Sequence, residues 1–333
     1  MNCLPWQPTE FRPPVWLRSG LLQTMVAMRI AAPLPRLRLE TWPTPDGDEL
    51  RVHFGDAPSP ASPRVLLLHG LEGSRHSPYV VATAHQATAA GLGLVVLEFR
   101  SCGGVLNRAR RTYHSGETSD LAFVVARLTA RFPQAPLLPL GFSLGANVLL
   151  KWLGENGDGI PANVLAAAAI SAPFDLAVCG RQCDRRFGGA IARHFLRTLI
   201  PKAVAKERQF PGLCDVAAVR RCRTFAAFDD LVTAPLHGFR DANEYYRTQS
   251  CGPLLPAIRR PTLLIAAADD PLSTPDVLPH AAVAGSAFLR AQFPAHGGHV
   301  AFVSGGWPWR PRRWAEGAAM RFFAAELVRA GVS

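Results

Sequence analysis

The chain has 333 residues, of which 48% are hydrophobic and 18% charged, enough for a large core and, by length alone, for two domains. Its formal charge of +11 is nearly all arginine, scattered as pairs such as Arg110-Arg111, Arg220-Arg221 and Arg312-Arg313. With no long basic run and no nucleic-acid-binding module, nucleic acid is not expected as a partner; an arginine-heavy, lysine-poor bias more often reflects codon composition than a ligand, and peripheral contact with anionic lipid headgroups is the other reading of the basic surface.

In chain order, residues 1–35 read as a Pro-rich lead-in. The start, Met1-Asn2-Cys3-Leu4-Pro5-Trp6, has no charged region followed by an apolar stretch, so no secretory signal is expected. No apolar run reaches about 18 residues, so no transmembrane helix is expected either. Residues 36–56 read as a hairpin turning at Thr44-Pro45-Asp46-Gly47-Asp48. Strands are predicted at 64–69, 92–100, 137–142 and 163–171, with a helix at 119–131 and another after the third of these strands. That alternation predicts a mostly parallel sheet covered by helices on both faces. It breaks over 172–256, where helices are expected at 186–200 and 241–249. A strand at 261–268, a last strand at 287–293 and a closing helix at 314–329 complete the pattern. The chain therefore divides into a lead-in and hairpin (1–60), a first part of the core (61–172), a helical lid insertion (173–256) and a second part of the core (257–333). Phe187, Ile191, Phe195, Leu196 and Leu199 recur at helical spacing in the insertion, a stripe expected to pack on the core rather than to form an acyl pocket.

The most informative stretch is Gly141-Phe142-Ser143-Leu144-Gly145. It lies between a buried strand and a helical pattern, the context of a nucleophile elbow: glycines remove clashes at a sharp strand-to-helix turn and leave the serine hydroxyl projecting at a helix N-terminus. That helix end favours negative charge developing on a substrate oxygen. α/β-Hydrolases place their triad in the order Ser, acid, His. Downstream, Asp269-Asp270-Pro271 ends the 261–268 strand. Asp270, followed by Pro271-Leu272-Ser273, is favoured as the acid, with Asp269 expected to cap the turn. Asp175, beyond the fourth strand, is a rival without that turn signature. Ala295-His296-Gly297-Gly298-His299 follows the last strand; His299, behind two glycines, is favoured as general base, and His296 reads as a loop residue. For the oxyanion hole the donors are the backbone N–H groups of Leu144, after the nucleophile, and Leu71, in the loop His69-Gly70-Leu71-Glu72-Gly73-Ser74.

These residues together resemble the YheT-like branch of the α/β-hydrolase superfamily, AB hydrolase family 4. The resemblance runs over roughly residues 10–325. Beyond the triad it rests on Pro14-Val15-Trp16-Leu17-Arg18-Ser19-Gly20-Leu21-Leu22-Gln23-Thr24, on the His69 loop, and on Phe99-Arg100-Ser101-Cys102-Gly103-Gly104 with Asn107-Arg108 and the segment from Tyr113 to Asp120. His296 to Phe302 closes the set. Leu21 stands where the family usually has histidine. The resemblance implies carboxylesterase or lipid-hydrolase activity, with Ser143, Asp270 and His299 as the triad. Arg100, His114 and Asp120 are expected to brace the loops behind the oxyanion hole by charge-assisted hydrogen bonds.

The expected reaction is cleavage of a carboxylic ester, in a small molecule or a lipid, through an acyl-enzyme, with no cofactor and no metal. Cys179 and Cys183 share a helical face but lack histidine neighbours, a poor metal site. Seven cysteines without a C-x-x-C pair suit reduced thiols in the cytoplasm. Thioester hydrolysis or acyl transfer on the same fold remains the alternative, and a non-catalytic binding protein the more distant one.

Overall fold

The computed structural model describes residues 6–30, 32–305 and 311–332. The expectations drawn from Met1–Pro5 and from Cys3 lie outside them. An eight-stranded sheet forms the centre, in the order β1 (Arg38–Pro43), β2 (Glu49–Phe54), β4 (Gly93–Glu98), β3 (Arg64–Leu68), β5 (Leu137–Phe142), β6 (Ala167–Ile170), β7 (Thr262–Ile265), β8 (Leu289–Gln292). The hairpin β1–β2 pairs antiparallel, and β2 joins β4 antiparallel; from β4 to β8 every pairing is parallel. This is the sheet the alternation predicts.

A strand buried on both faces reads as a continuous apolar run, and its residues alternate between two cores. In β3, Leu66 and Leu68 join one core with Val124 and Leu128 of the helix Ser119–Arg131, while Val65 and Leu67 join the other with Val80 and Phe322. That second core holds two further helices, Pro78–Ala89 and the closing Trp314–Arg329. The first of these has no counterpart in the expectations, because its small and apolar residues (Val80, Val81, Ala84, Ala87) give a weak amphipathic pattern.

Numbered in chain order, the helices are α1 (Gly20–Ala27), α2 (Pro78–Ala89), α3 (Ser119–Arg131), α4 (Leu144–Asn156), α5 (Leu176–Arg185), α6 (Ala190–Gln209), α7 (Val216–Arg221), α8 (Phe225–Phe228), α9 (Ala234–His237), α10 (Ala242–Gln249), α11 (His280–Ala284) and α12 (Trp314–Arg329). Helices α5 to α10 form the insertion between β6 and β7. Two expectations change there. The helix placed at 186–200 begins at Ala190, because Phe187, Gly188 and Gly189 take positive φ and kink the chain, and it continues through Pro201 to Gln209. The strand placed at 163–171 is regular only over Ala167–Ile170, with Val164 joined to Leu137 by an isolated bridge. The insertion has a small core of its own, Leu196, Ala203, Val219, Cys222, Phe228 and Val232.

Candidate active site

Strand β3 leads outward to β4 on one side, and the chain then returns to place β5 on the other side of β3. The carboxyl ends of β3 and β5 thus flank a topological switch point, where ligand crevices form in open α/β sheets. The elbow follows β5 and the His69 loop follows β3, so both arrive at this crevice.

Ser143 is the N-cap of α4, held at φ 52° and ψ −119°. A non-glycine residue in that region is strained, and such strain persists only where the surroundings enforce it. Here the enforcement is spatial. A Cβ on Gly145 would stand 2.5 Å from the carbonyl oxygens of His69 and Leu68, and one on Gly141 would stand 2.5 Å from the Gly145 carbonyl. The two glycines let α4 pack against the end of β3 with no side chain between.

The structure brings the three predicted residues together. Ser143 Oγ lies 2.8 Å from His299 Nε2, and His299 Nδ1 lies 2.8 Å from Asp270 Oδ2. The Asp270 side chain is buried and that of His299 nearly so. Asp270 Oδ1 also accepts from the Leu272 N–H at 2.8 Å, so Asp270 caps its own turn. The cap expected of Asp269 is therefore not needed. Asp269 instead reaches the histidine loop, accepting from Gly298 N at 2.9 Å and facing His296 Nδ1 at 3.3 Å. The rival Asp175 is the N-cap of α5, accepting from Val178 N at 2.9 Å.

Leu71 and Leu144 both border the cavity beside Ser143. The Leu144 N–H, in the first turn of α4, has no intrahelical acceptor. Gly70 packs against Ser143, since a Cβ there would lie 3.2 Å from the Ser143 Cβ. The Gly70 N–H is already used, donating to Tyr79 Oη at 2.8 Å, so the next donor in this loop is Leu71. Beneath the loop, His69 Nε2 accepts from Phe99 N and Nδ1 faces the Gly70 carbonyl at 2.8 Å. Complete burial pushes His69 down to about 4, so near neutral pH it is a neutral imidazole with Nδ1 donating.

Several supporting residues were not singled out from the sequence. Thr24 Oγ1, on α1, accepts from His299 N at 2.9 Å, and Ser171 Oγ accepts from Val300 N at 3.0 Å. Gln23 fixes α1 to the following segment through Val303, donating to its carbonyl and accepting from its N–H. Asn147, one turn into α4, donates to the carbonyls of Ser115 and Gln249 and accepts from Cys251 N. Gln23 and Thr24 lie inside a segment whose likeness to a family was visible, and Asn147 and Ser171 outside any such segment; in both cases a lone polar side chain carries no periodic signal of its role.

Arg100 grips Asp120 through two nitrogens at 2.7 Å and Asp48 at 2.6 Å, tying the loop after β4 to α3 and to the hairpin turn. His114 takes a different place from the one expected: it lines the cavity and packs against His237 of α9, ring centroids 4.5 Å apart. Burial, with the neighbouring His237, pushes His114 down to about 3, and burial brings His237 to about 4.

The cavity in front of Ser143 encloses about 1170 Å³ of empty space, counting its solvent-open part. Its far wall comes from the insertion, through Leu176, Phe195, Leu199, Phe225 and Phe228. The stripe expected to pack on the core is therefore divided: Leu196 enters the insertion's own core, Phe195 and Leu199 face the cavity, and Phe187 is exposed. Asp229 also lines the cavity, held by Tyr246 and Thr233 at 2.6 Å, and burial pushes its carboxyl up to about 6. Among the described residues no group of His, Cys, Asp and Glu could hold a metal ion.

A central sheet in this order, with a serine elbow at its switch point and a histidine returning after the last strand, is the architecture of an α/β-hydrolase. A model of the α/β-hydrolase fold matches residues 63–305. YheT of Escherichia coli (strain K12), which is named as an esterase, is 38% identical over 276 residues, covering 82% of this chain and 80% of that one. ABHD3 of Mus musculus, named as a phospholipase, is 29% identical over 307 residues, covering 90% and 74%. Among solved structures, the Pyrococcus furiosus esterase Pf2001 has a TM-score of 0.57 at 15% identity, covering 97% of this chain and 99% of that one, a likeness of fold. The chain belongs to the α/β-hydrolase family, in its YheT-like branch, among the enzymes of esterase and lipase type.

Proposed function

We propose that Ser143, Asp270 and His299 form the catalytic triad of a serine esterase acting on carboxylic esters with an extended acyl chain. The observation that carries this reading is the unbroken relay from Ser143 Oγ through His299 to Asp270, at 2.8 Å on each side. His299 Nε2 takes the hydroxyl proton as Ser143 Oγ attacks the ester carbonyl, and Asp270 fixes the tautomer and stabilises the imidazolium. The N–H groups of Leu71 and Leu144 receive the oxyanion of the tetrahedral intermediate; each such donor typically contributes about 2.7–4 kcal/mol. His299 then protonates the leaving alcohol. Water, deprotonated by the same histidine, releases the acyl group and restores Ser143.

Support for an extended acyl chain comes from the apolar wall of Leu176, Phe195, Leu199 and Phe228. A relative in Saccharomyces cerevisiae named as a monoacylglycerol lipase, 30% identical over 277 residues, is consistent with a lipid ester. In this reading residues 173–256 are a lid over the cavity. The six cysteines among the described residues are all free, which fits a reducing, cytoplasmic setting. No helix among them is long and apolar enough to cross a membrane, and contact with a lipid surface is peripheral in this reading.

The test is covalent labelling with a fluorophosphonate probe, located by peptide mass spectrometry, alongside hydrolysis of p-nitrophenyl esters graded in acyl length. Wild type should label at Ser143, and Ser143→Ala should not label. Turnover should fall by about 10⁴–10⁶ in Ser143→Ala and His299→Ala and by about 10⁴ in Asp270→Asn. Labelling at another serine, or full activity in Asp270→Asn, would overturn the assignment.

A further inference from the structure

Residues 11–30 contain three arginines and no acidic residue. They form a 3-10 turn, Val15–Leu17, followed by α1. One side of this segment is anchored. Leu17 and Ala27 pack with Ala301 and Val303, and buried Gln23 bonds the Leu17 and Val303 backbones. The other side carries Val15 (80% exposed), Trp16 (44%), Leu22 (48%), Met25 (43%) and Met28 (60%). Five of the ten large apolar side chains exposed among the described residues thus fall within fourteen consecutive positions, while the remainder are spread over the other parts of the chain. Scattered exposed apolar groups need no explanation; a concentration of this kind does.

We infer that this face of the N-terminal segment docks the protein onto an anionic lipid surface. Charge decides the partner. Arg18, between Trp16 and Leu22, and Arg29, directly after Met28, are exposed and pair with no carboxylate among the described residues; Arg12 alone of the three is paired, with Glu10. Apolar side chains entering the acyl boundary, with arginines beside them at the headgroups, are what an interfacial segment presents. A second copy of the chain would instead bring the same unpaired arginines together.

Position gives the docking its use. Gly20 sits so tightly on the acid turn that a Cβ there would stand 2.0 Å from the Asp269 carbonyl oxygen, and Thr24 holds the His299 backbone. On the insertion side, Arg186 donates to the Asp270 carbonyl at 3.3 Å, and its neighbour Phe187 is 51% exposed at the positive-φ kink. The acid turn is therefore bordered by two segments bearing exposed apolar side chains. A surface docked there brings lipid to the residues that hold the acid and the histidine.

The experiment is flotation with vesicles of phosphatidylcholine alone and of phosphatidylcholine mixed with phosphatidylglycerol, using full-length Ser143→Ala. Binding is then read without turnover, and its failure is distinct from failure of the esterase reading. Binding to the mixed vesicles is expected, falling about thirtyfold in Arg18→Gln/Arg29→Gln, at about fivefold per basic group. Leu22→Ser/Met25→Ser/Met28→Ser should weaken it about a hundredfold. The control Val328→Ser, an exposed apolar residue on α12, should leave it unchanged. Sedimentation of each protein is run in parallel. No binding by wild type, binding insensitive to both the arginine and the apolar variants, or a wild-type dimer that the apolar variant renders monomeric would each overturn the inference. The arginine variant changes only exposed groups, so it decides the matter even where the triple serine variant does not fold.

Discussion

At the carboxyl edge of the sheet, Ser143 stands at the end of β5, a strand paired on both sides, and its strained backbone is held by contacts of main chain on main chain. In the insertion the ties to the core are side chains instead. Lys202 of α6 donates to Glu72 Oε1 at 2.7 Å, one residue beyond Leu71, and the same oxygen accepts from Tyr113 Oη at 2.8 Å. Lys206 is buried and donates to the Asn107 and Ala109 carbonyls at 2.7 and 2.5 Å; burial brings its ammonium down to about 8. These are two of the three lysines in the whole chain. A ladder of backbone bonds tolerates no shift, whereas a few charged contacts can be exchanged. The edge is thus built for fixed geometry, and the insertion for an apolar wall held to the core at a few charged points.

The largest effect should come from asking each region to accept one methyl group. Gly145→Ala places a Cβ 2.5 Å from two backbone carbonyl oxygens, which cannot yield without separating α4 from β3. Folded protein should be scarce, and what is recovered should have lost at least about a hundredfold in turnover, since misplacement by an ångström costs that much. Gly188→Ala, at φ +60° with nothing within 4 Å, meets no neighbour and bears only the left-handed strain of about 1–2 kcal/mol. Thermal unfolding and ester hydrolysis measured on both would break the contrast if the two variants behaved alike.

A smaller effect is expected at the tie itself. Glu72 is held at φ 57°, and its backbone N–H also donates to Tyr113 Oη at 2.9 Å, so its side chain and main chain share one partner. Lys202→Met keeps the length of the side chain and removes the charge. With the Lys202 side chain 28% exposed, the loss should be about tenfold in kcat/KM with little change in melting temperature. Full activity in Lys202→Met would mean that the insertion is only a wall and has no part in holding the loop after Leu71.

The same division explains what could be read in advance. The strands of the core and the helix Ser119–Arg131 announce themselves because a doubly buried strand is a continuous apolar run and an amphipathic helix has a period. Ser143, Asp270 and His299 are legible because glycines, a turn and chain order mark them. In the insertion the signal fails for physical reasons. Apart from α6 its helices are short, α8 to α9 runs through a π-helical turn at Asp229–Thr233, and an apolar stripe on α6 serves the insertion's own core and the cavity at once. Thr24 and Gln23 were invisible as supports because their partners lie some 275 and 280 residues away.

The smallest expected effect is on acid stability, and it probes the joint between the two regions. His114 comes from the loop preceding α3 and His237 from α9, and both, like His69 in the core, are pushed by burial below the ordinary histidine value of 6.5. Between about pH 6.5 and about 4 the unfolded chain binds these protons and the folded one does not, so stability falls as pH falls, by up to about 1.4 kcal/mol per pH unit for each group. Asp229 works in the opposite sense: with its folded value raised to about 6, the native state takes up a proton in the same window and is stabilised by acid. Burial raises Asp184 and Glu316 as well, and they offset the histidines in the same sense as Asp229, so the net loss is smaller than the roughly 4 kcal/mol per pH unit of three histidines alone. Carboxylates held low by arginines, such as Asp46 and Glu40, add their share only as pH falls below about 5, so denaturant unfolding between about pH 7 and 5 reads the buried histidines and the raised carboxyls without them. His237→Gln should flatten that slope by about one group's worth, and limited proteolysis at pH 5 should cut the wild-type insertion before the core. An unchanged slope in His237→Gln would leave the acid-sensitive step to His114 or His69 and would remove α9 from the joint's response to acid.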